Sequence, residues 1–342
     1  MDLRQLRVPV VAAPMFLVSG PELVIAACTA GIVGAFPTPN CRTVAELDTW
    51  MGTITDGLRA ARQGNDHVGP WAVNLITHSS NERLADDLRL VAEYRPPLVI
   101  TALGSPRPVV DTVHEYGGIV IGDVVSMRLA HKAVDAGADG LACISAGAGG
   151  HTGHLSPFAF VSAVREFFDG TVIVGGGTSD GWGIAGAIAS GADLVYMGTR
   201  FLATTESRAQ PDYKQMVVDS GADDLLVSPA ITGTPASWLI PSLAANGYDP
   251  ADMAVTPAPK RKYGGGGDDI PKRWKDVWAA GQGLQTIRSI LPTAQVVDRI
   301  ETEYRVALER IATLSNRTPV PAALGEFGAD APVVDLTSRT LP

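Results

Sequence analysis

The chain has 342 residues, 46% hydrophobic and 18% charged, a balance that excludes a disordered polypeptide and allows one large α/β barrel or two ordinary domains. Its formal net charge is −9 and its one basic knot is the KRK at 260–262, which argues against nucleic acid and against an anionic membrane surface as partners. Three cysteines without CxxC spacing, no signal-like N-terminus and no apolar run of the roughly 18 residues that span a bilayer point to a reducing cytoplasm, with no disulfide framework or metal site.

Short apolar runs predict strands at 8–12, 32–36, 71–75, 98–101, 119–121, 140–144, 172–174 and 194–197. Most are continuously apolar, as parallel strands buried on both faces should be. Between them, helices are predicted at 22–30, 44–62, 82–94, 126–136, 157–168 and 182–190. Each stops at a glycine or ahead of a proline, namely Gly31, Gly64, Pro96, Gly137, Gly170 and Gly191. Eight alternating units over residues 1–210 predict an α/β fold, a (β/α)8 TIM barrel, with a doubly wound open sheet as the alternative.

After Phe201 the rhythm changes. Residues 211–315 read as a smaller, mainly helical second domain or cap, with helices over 213–245 that turn at Gly221 and Gly233. The stretch 247–271, which contains a GGGGDD run at 264–269, reads as a mobile loop or lid. No strand precedes that run and no GK[ST] follows it, so a phosphate cradle is the lesser reading. Helices are predicted at 274–284 and 294–314, the second packing back on the barrel, and 316–342 reads as a tail.

In a (β/α)8 barrel, ligands bind at the C-terminal ends of the strands, and the unusual residues fall there. The first run ends in Ala13-Pro14-Met15, small enough to leave room for a flat ring. The third ends at Asn74, with His78 in the loop beyond. The sixth leads into LACISAGAGGHTGHLS at 141–156, where a glycine bed precedes His151 and His154. Glycine permits positive φ angles and close backbone approach, and an imidazole beside it suits proton transfer near neutral pH. The last two runs end in Gly175-Gly176-Gly177 and Gly198-Thr199, the usual phosphate position of this fold.

With AAPM, VNL, AGGHTG, GGGTSDG, GADLVYMGTRFLATTES and WAAGQG in this order, the chain resembles the nitronate monooxygenase (2-nitropropane dioxygenase) family over roughly residues 5–310. The resemblance implies an FMN-dependent barrel oxidising alkyl nitronates with O2 to a carbonyl compound and nitrite. It implies that Ala13, Pro14, Met15, Asn74, Ser145 and Gly150 line the flavin, that Gly175, Gly176, Gly177, Gly198 and Thr199 hold its phosphate, and that His151 is the catalytic base. Gly147 stands where many members carry Glu, and Asp123 stands near the flavin pyrimidine where some carry Lys. An NAD(P)H-dependent quinone or enoyl-thioester reductase, or a non-catalytic flavin- or phosphate-binding module, would use the same bed.

Other residues have more ordinary readings. His78 is a candidate substrate contact, while His154 reads as orienting its loop or facing solvent. His67, His114 and His131 read as surface residues and Cys143 as core packing. Trp274 and Trp278 read as helix packing, and Gln282 is left open. Oligomeric state is equally open.

Overall fold

A sheet closes into a barrel when its strands are apolar on both faces, one toward the lumen and one toward the helices. The computed structural model, which describes residues 5–255 and 274–315, shows how the eight apolar runs meet that demand. In chain order the elements are β1 (Val10–Ala12), α1 (Pro21–Thr29), β2 (Val33–Pro37), α2 (Val44–Ala61), β3 (Trp71–Ile76), α3 (Leu84–Tyr94), β4 (Leu98–Ala102) and α4 (Arg107–Glu115). They continue with β5 (Ile119–Val124), α5 (Met127–Asp135), β6 (Gly140–Ile144), β7 (Gly150–His151), α6 (Pro157–Arg165), β8 (Thr171–Gly175), α7 (Gly181–Ala189) and β9 (Leu194–Met197). Strands β1 to β6, β8 and β9 form a closed parallel barrel in sequence order, and β9 returns to β1 with Tyr196 opposite Val11.

Alternate residues divide between two cores. Val11, Val33, Ala72, Leu98, Ile121, Ala142, Ile173 and Leu194 fill the lumen. Their neighbours, such as Val73, Val99, Leu141 and Val195, meet the helices. Helix α4 has no counterpart in the sequence-based expectation. Prolines at 106 and 108 masked it, and Pro108 sits in its first turn, where a missing amide hydrogen costs nothing.

The N-terminal end of the barrel is tied by a repeated device. Gly137 and Gly191 adopt positive φ of 94° and 109°, and each is followed by Ala-Asp. Asp139 donates its amide to Val120 O (2.8 Å) and accepts from Val120 N at Oδ2 (2.7 Å). Asp193 does the same with Val172 O (2.8 Å) and Val172 N (2.7 Å), and its carboxylate also accepts from Arg165.

Beyond the barrel lie α8 (Thr199–Leu202), α9 (Pro211–Asp219), β10 (Leu225–Ser228), β11 (Ala236–Leu239), α10 (Ile240–Ala245), α11 (Pro250–Val255) and α12 (Thr293–Ser315). The helical reading of 213–245 is corrected in its middle. Strands β10 and β11 form an antiparallel hairpin, and β11 pairs on its other side with β7. Pro229, Pro235 and the positive φ of Gly233 (73°) forbid a continuous helix there. The helix predicted over 274–284 is also corrected. That segment is irregular, bridges Trp238 through Ala279, and enters a 3-10 turn only at Gln282–Thr286.

Helix α12 packs on α1 and α7. At the α7 contact a Cβ on Gly181 would lie 2.1 Å from Tyr304 N, so only glycine allows the approach. Glu206 anchors its start, accepting from Thr293 N (3.0 Å) and Thr293 Oγ1 (2.9 Å). The 264–269 glycine run, the basic knot at 260–262, most of the expected lid and the 316–342 tail lie outside the described residues. Among the described residues, no helix is long and apolar enough to cross a membrane, and no cluster of His, Cys, Asp and Glu could hold a metal ion.

Candidate active site

The loop after β6 is shaped by backbone packing. Ser145 N donates to Gly175 O (2.7 Å), and Ala146 N donates to Leu155 O (2.7 Å), which closes the loop. Gly147 has φ 87°, and its carbonyl accepts from Gln282 N (2.9 Å). A Cβ on Gly149 would lie 2.6 Å from Gly281 N, and one on Gly176 would lie 2.6 Å from Ala146 O. Three glycine segments, from β6, β8 and the 281–283 stretch, therefore meet main chain to main chain. The Ser145 side chain is fully buried and donates to Cys143 O (3.2 Å), so it steadies the loop from beneath.

The proposed phosphate residues converge on this junction. Gly177 has φ 72°, and only the Gln282 side chain and the Gly147 carbonyl come within 4 Å of a Cβ placed there. At Gly198 the near atoms are those of Met15, at 3.6 Å and beyond. These two glycines leave the space a side chain would fill. Thr199 Oγ1 accepts from Gly281 N (2.9 Å), which leaves its own proton to donate.

The Ala13–Met15 shelf has spent its amides internally. Ala13 N donates to Met197 O (3.1 Å) and Met15 N to Ser19 Oγ (3.0 Å), while Asn40 Nδ2 donates to Met15 O (3.1 Å). What the shelf offers a planar ligand is carbonyl and side-chain surface. Ser19 and Asn40, which pin it, carry no motif signal in the sequence.

The upper lumen holds buried polar atoms without protein partners: Asn74 Nδ2 on β3, Asp123 Oδ1 on β5 and Tyr196 OH on β9, with Thr77 Oγ1 at the rim. Asn74 and Asp123 continue the inward series of Ala72 and Ile121, and Tyr196 belongs to the lumen cluster itself. Burial alone pushes the Asp123 carboxyl up to about 7. Tyr196 is raised well above its ordinary value, by burial first and then by Asp123. Buried polar groups are nearly always satisfied in folded proteins, so unpartnered ones above an apolar lumen mark a place that receives a polar ring. Together with the open glycines, these atoms fit a flavin. Sequence reasoning missed Tyr196. Its signal was the two-residue alternation that places Leu194 and Tyr196 on the same face of β9.

His151 stands on β7 opposite Ala236, with an exposed side chain edge-on to Trp274 (centroids 5.3 Å apart, planes at 78°). Trp274 stacks on the fully buried Trp238 (4.6 Å) and covers Gly150. The imidazole thus stands edge-on to a two-tryptophan wall. His78 lies on the β3 rim, its Nδ1 2.8 Å from Ser80 Oγ, and His154 is exposed. Gln282 lies over Gly147 and Gly177 at the glycine junction, whereas Trp278 stacks on Tyr213 away from it (5.0 Å). His114 meets Asp139, His131 stacks on Phe167, and Cys143 is fully buried.

The sequence profile of the nitronate monooxygenase family matches residues 1–303. A nitronate monooxygenase of Paraburkholderia phytofirmans is 27% identical over 90% of this chain and 95% of its own length. A (3aS,4S,5R,7aS)-5-hydroxy-7a-methyl-1-oxo-octahydro-1H-indene-4-carboxyl-CoA dehydrogenase of Rhodococcus jostii is 31% identical over 66% of this chain, but the match spans 61% of that relative. Among solved structures, FabK from Thermotoga maritima superposes with a TM-score of 0.73 at 26% identity, covering 92% of this chain and 97% of FabK. A nitroalkane oxidase from Streptomyces ansochromogenes (TM-score 0.71, 21% identity, 90% and 99% covered) shares the fold. The chain belongs to the nitronate monooxygenase family.

Proposed function

We propose that the protein binds FMN at the barrel mouth and oxidises alkyl nitronates with O2, releasing a carbonyl compound and nitrite. The observation that carries this reading is the placement of His151. Antiparallel pairing to β11 and the Trp274–Trp238 wall fix the imidazole beside the loop whose glycines open the bed. Gly175, Gly176, Gly177 and Gly198 would admit the phosphate, to which Thr199 would donate. Ala13, Pro14, Met15 and Gly150 would bound the ring, above Ser145, and Asn74 would donate to it. FMN, when bound, would accept the electrons of the nitronate and deliver them to oxygen. His151 would take the α-proton of a nitroalkane or hold the nitronate in place, and its side chain is open to incoming substrate. His78 is a rim contact for substrate in this reading, and His154 is a lesser candidate.

A second reading is an NAD(P)H-dependent quinone or enoyl-thioester reductase on the same bed, favoured by a relative named for a carboxyl-CoA substrate. Anaerobic mixing of the flavoprotein with propionate 3-nitronate, and separately with NADPH, distinguishes the two. Bleaching by the nitronate supports the monooxygenase, whereas bleaching by NADPH alone supports the reductase. A module that only binds flavin would bleach with neither.

A further inference from the structure

Three side chains in the upper lumen each carry an enclosed polar atom without a protein partner, on Asn74 and Tyr196, which are buried, and on Asp123, which is half-buried, and the flavin reading gives each a neutral-pH role as a donor. The Asn74 amide and the Tyr196 phenol donate by nature. Asp123 is the unusual member. Strands β3 and β9 present Asn74 and Tyr196 to the lumen around it, while β1, β4, β6 and β8 present Ala13, Ile100, Ala142 and Gly175. Tyr196 is the titratable group whose ionisation the Asp123 charge opposes. Among the described residues no cation offsets that charge and no hydrogen bond reaches the enclosed Oδ1 of Asp123, and an uncompensated carboxylate in such a place is costly. It therefore keeps its proton well above the usual carboxylate range.

We propose that Asp123 and Tyr196 form an acid–phenol floor beneath the pyrimidine end of the flavin, with Asp123 entering the complex as the neutral acid and donating a hydrogen bond to a ring acceptor. The inference rests on the flavin reading above. The N1, C2 carbonyl and C4 carbonyl edge of an isoalloxazine is rich in acceptors, which matches three donors. When Asp123 loses its proton, a donor becomes a charged acceptor facing another acceptor, and the fit turns repulsive. Flavin affinity is then linked to the protonation of this one residue, so it falls as pH rises through the neutral range.

The test follows release of flavin from the purified flavoprotein, by the fluorescence of the freed chromophore, from about pH 5.5 to about pH 9. For each pH unit by which flavin raises the Asp123 titration, affinity falls about tenfold across it. We expect the dissociation constant to rise at least about tenfold more in the parent protein than in Asp123→Asn. Titration of the FMN phosphate is common to both proteins and so cancels. Tyr196→Phe should release flavin more readily at every pH while keeping the slope. The bound-flavin absorption band should shift with pH in the parent and stand still in Asp123→Asn, a readout independent of affinity and turnover. A flat parent profile, or an equal slope in Asp123→Asn, overturns the inference and leaves the flavin reading intact. Absence of flavin at every pH, with none taken up when FMN is added, overturns both.

Discussion

The two ends of the barrel are built on opposite principles. At the N-terminal end, Asp139 and Asp193 tie each neighbouring strand start by paired hydrogen bonds, and the lumen above them is apolar. At the C-terminal end, Asn74, Asp123 and Tyr196 each carry an enclosed polar atom without a protein partner, and glycine-rich loops follow the strands. One end ties its strand starts to protein partners, and the other holds polar atoms without them. That contrast is how a barrel separates stability from chemistry.

The largest effect that sharpens the contrast is at the mouth. His151→Ala should lower turnover by about 10²–10⁴-fold while flavin content per chain is unchanged, measured by rate and absorbance. Loss of flavin along with activity would assign the imidazole to the bed instead. Truncating its support, Trp238→Ala, should cost about 3–5 kcal/mol in denaturant unfolding and lower turnover as well, because the Trp274 wall loses its backing.

The mouth should also betray its unmet demands in the flavin-free protein. Asp123 ionises near pH 7 when folded and from about pH 4 when unfolded. The unfolded chain therefore releases its proton first, so stability falls between those values and levels off above pH 7. Asp123→Asn should remove that fall, raising stability at about pH 8 by up to about 4 kcal/mol and leaving it unchanged near pH 4. An equal effect at both pH values would contradict the assignment.

At the sealed end the signs reverse. Asp193→Ala strips the Val172 amide of its partner and should cost about 1–3 kcal/mol with flavin retained. The smallest effect is expected at the α12 cap, where Glu206→Ala should cost about 1 kcal/mol in thermal unfolding without changing flavin content.

Much of this division was legible before any coordinates. The eight strands announced themselves because burial on both faces makes them continuously apolar, and the glycine loops because few other needs place so many glycines at strand ends. The hairpin 225–239 was hidden because β11 pairs with β7, whose residues Gly150 and His151 have no strand pattern of their own. The irregular 274–281 path depends on the close approach of Gly281 to Gly147 and Gly149, more than 130 residues earlier in the chain. The motif GTRFLATTES proved divided in role. Thr199 meets the site, while Glu206 caps α12 and Ser207 O accepts from Lys214. A family motif does not separate ligand-binding residues from those that hold the scaffold closed.

The central claim is that the mouth exists to hold flavin mononucleotide. An absorbance spectrum of the purified protein, followed by chromatography of what denaturation releases, tests it most directly. Flavin bands and FMN released at about one per chain are the expected result. A colourless protein that takes up no added FMN would contradict it.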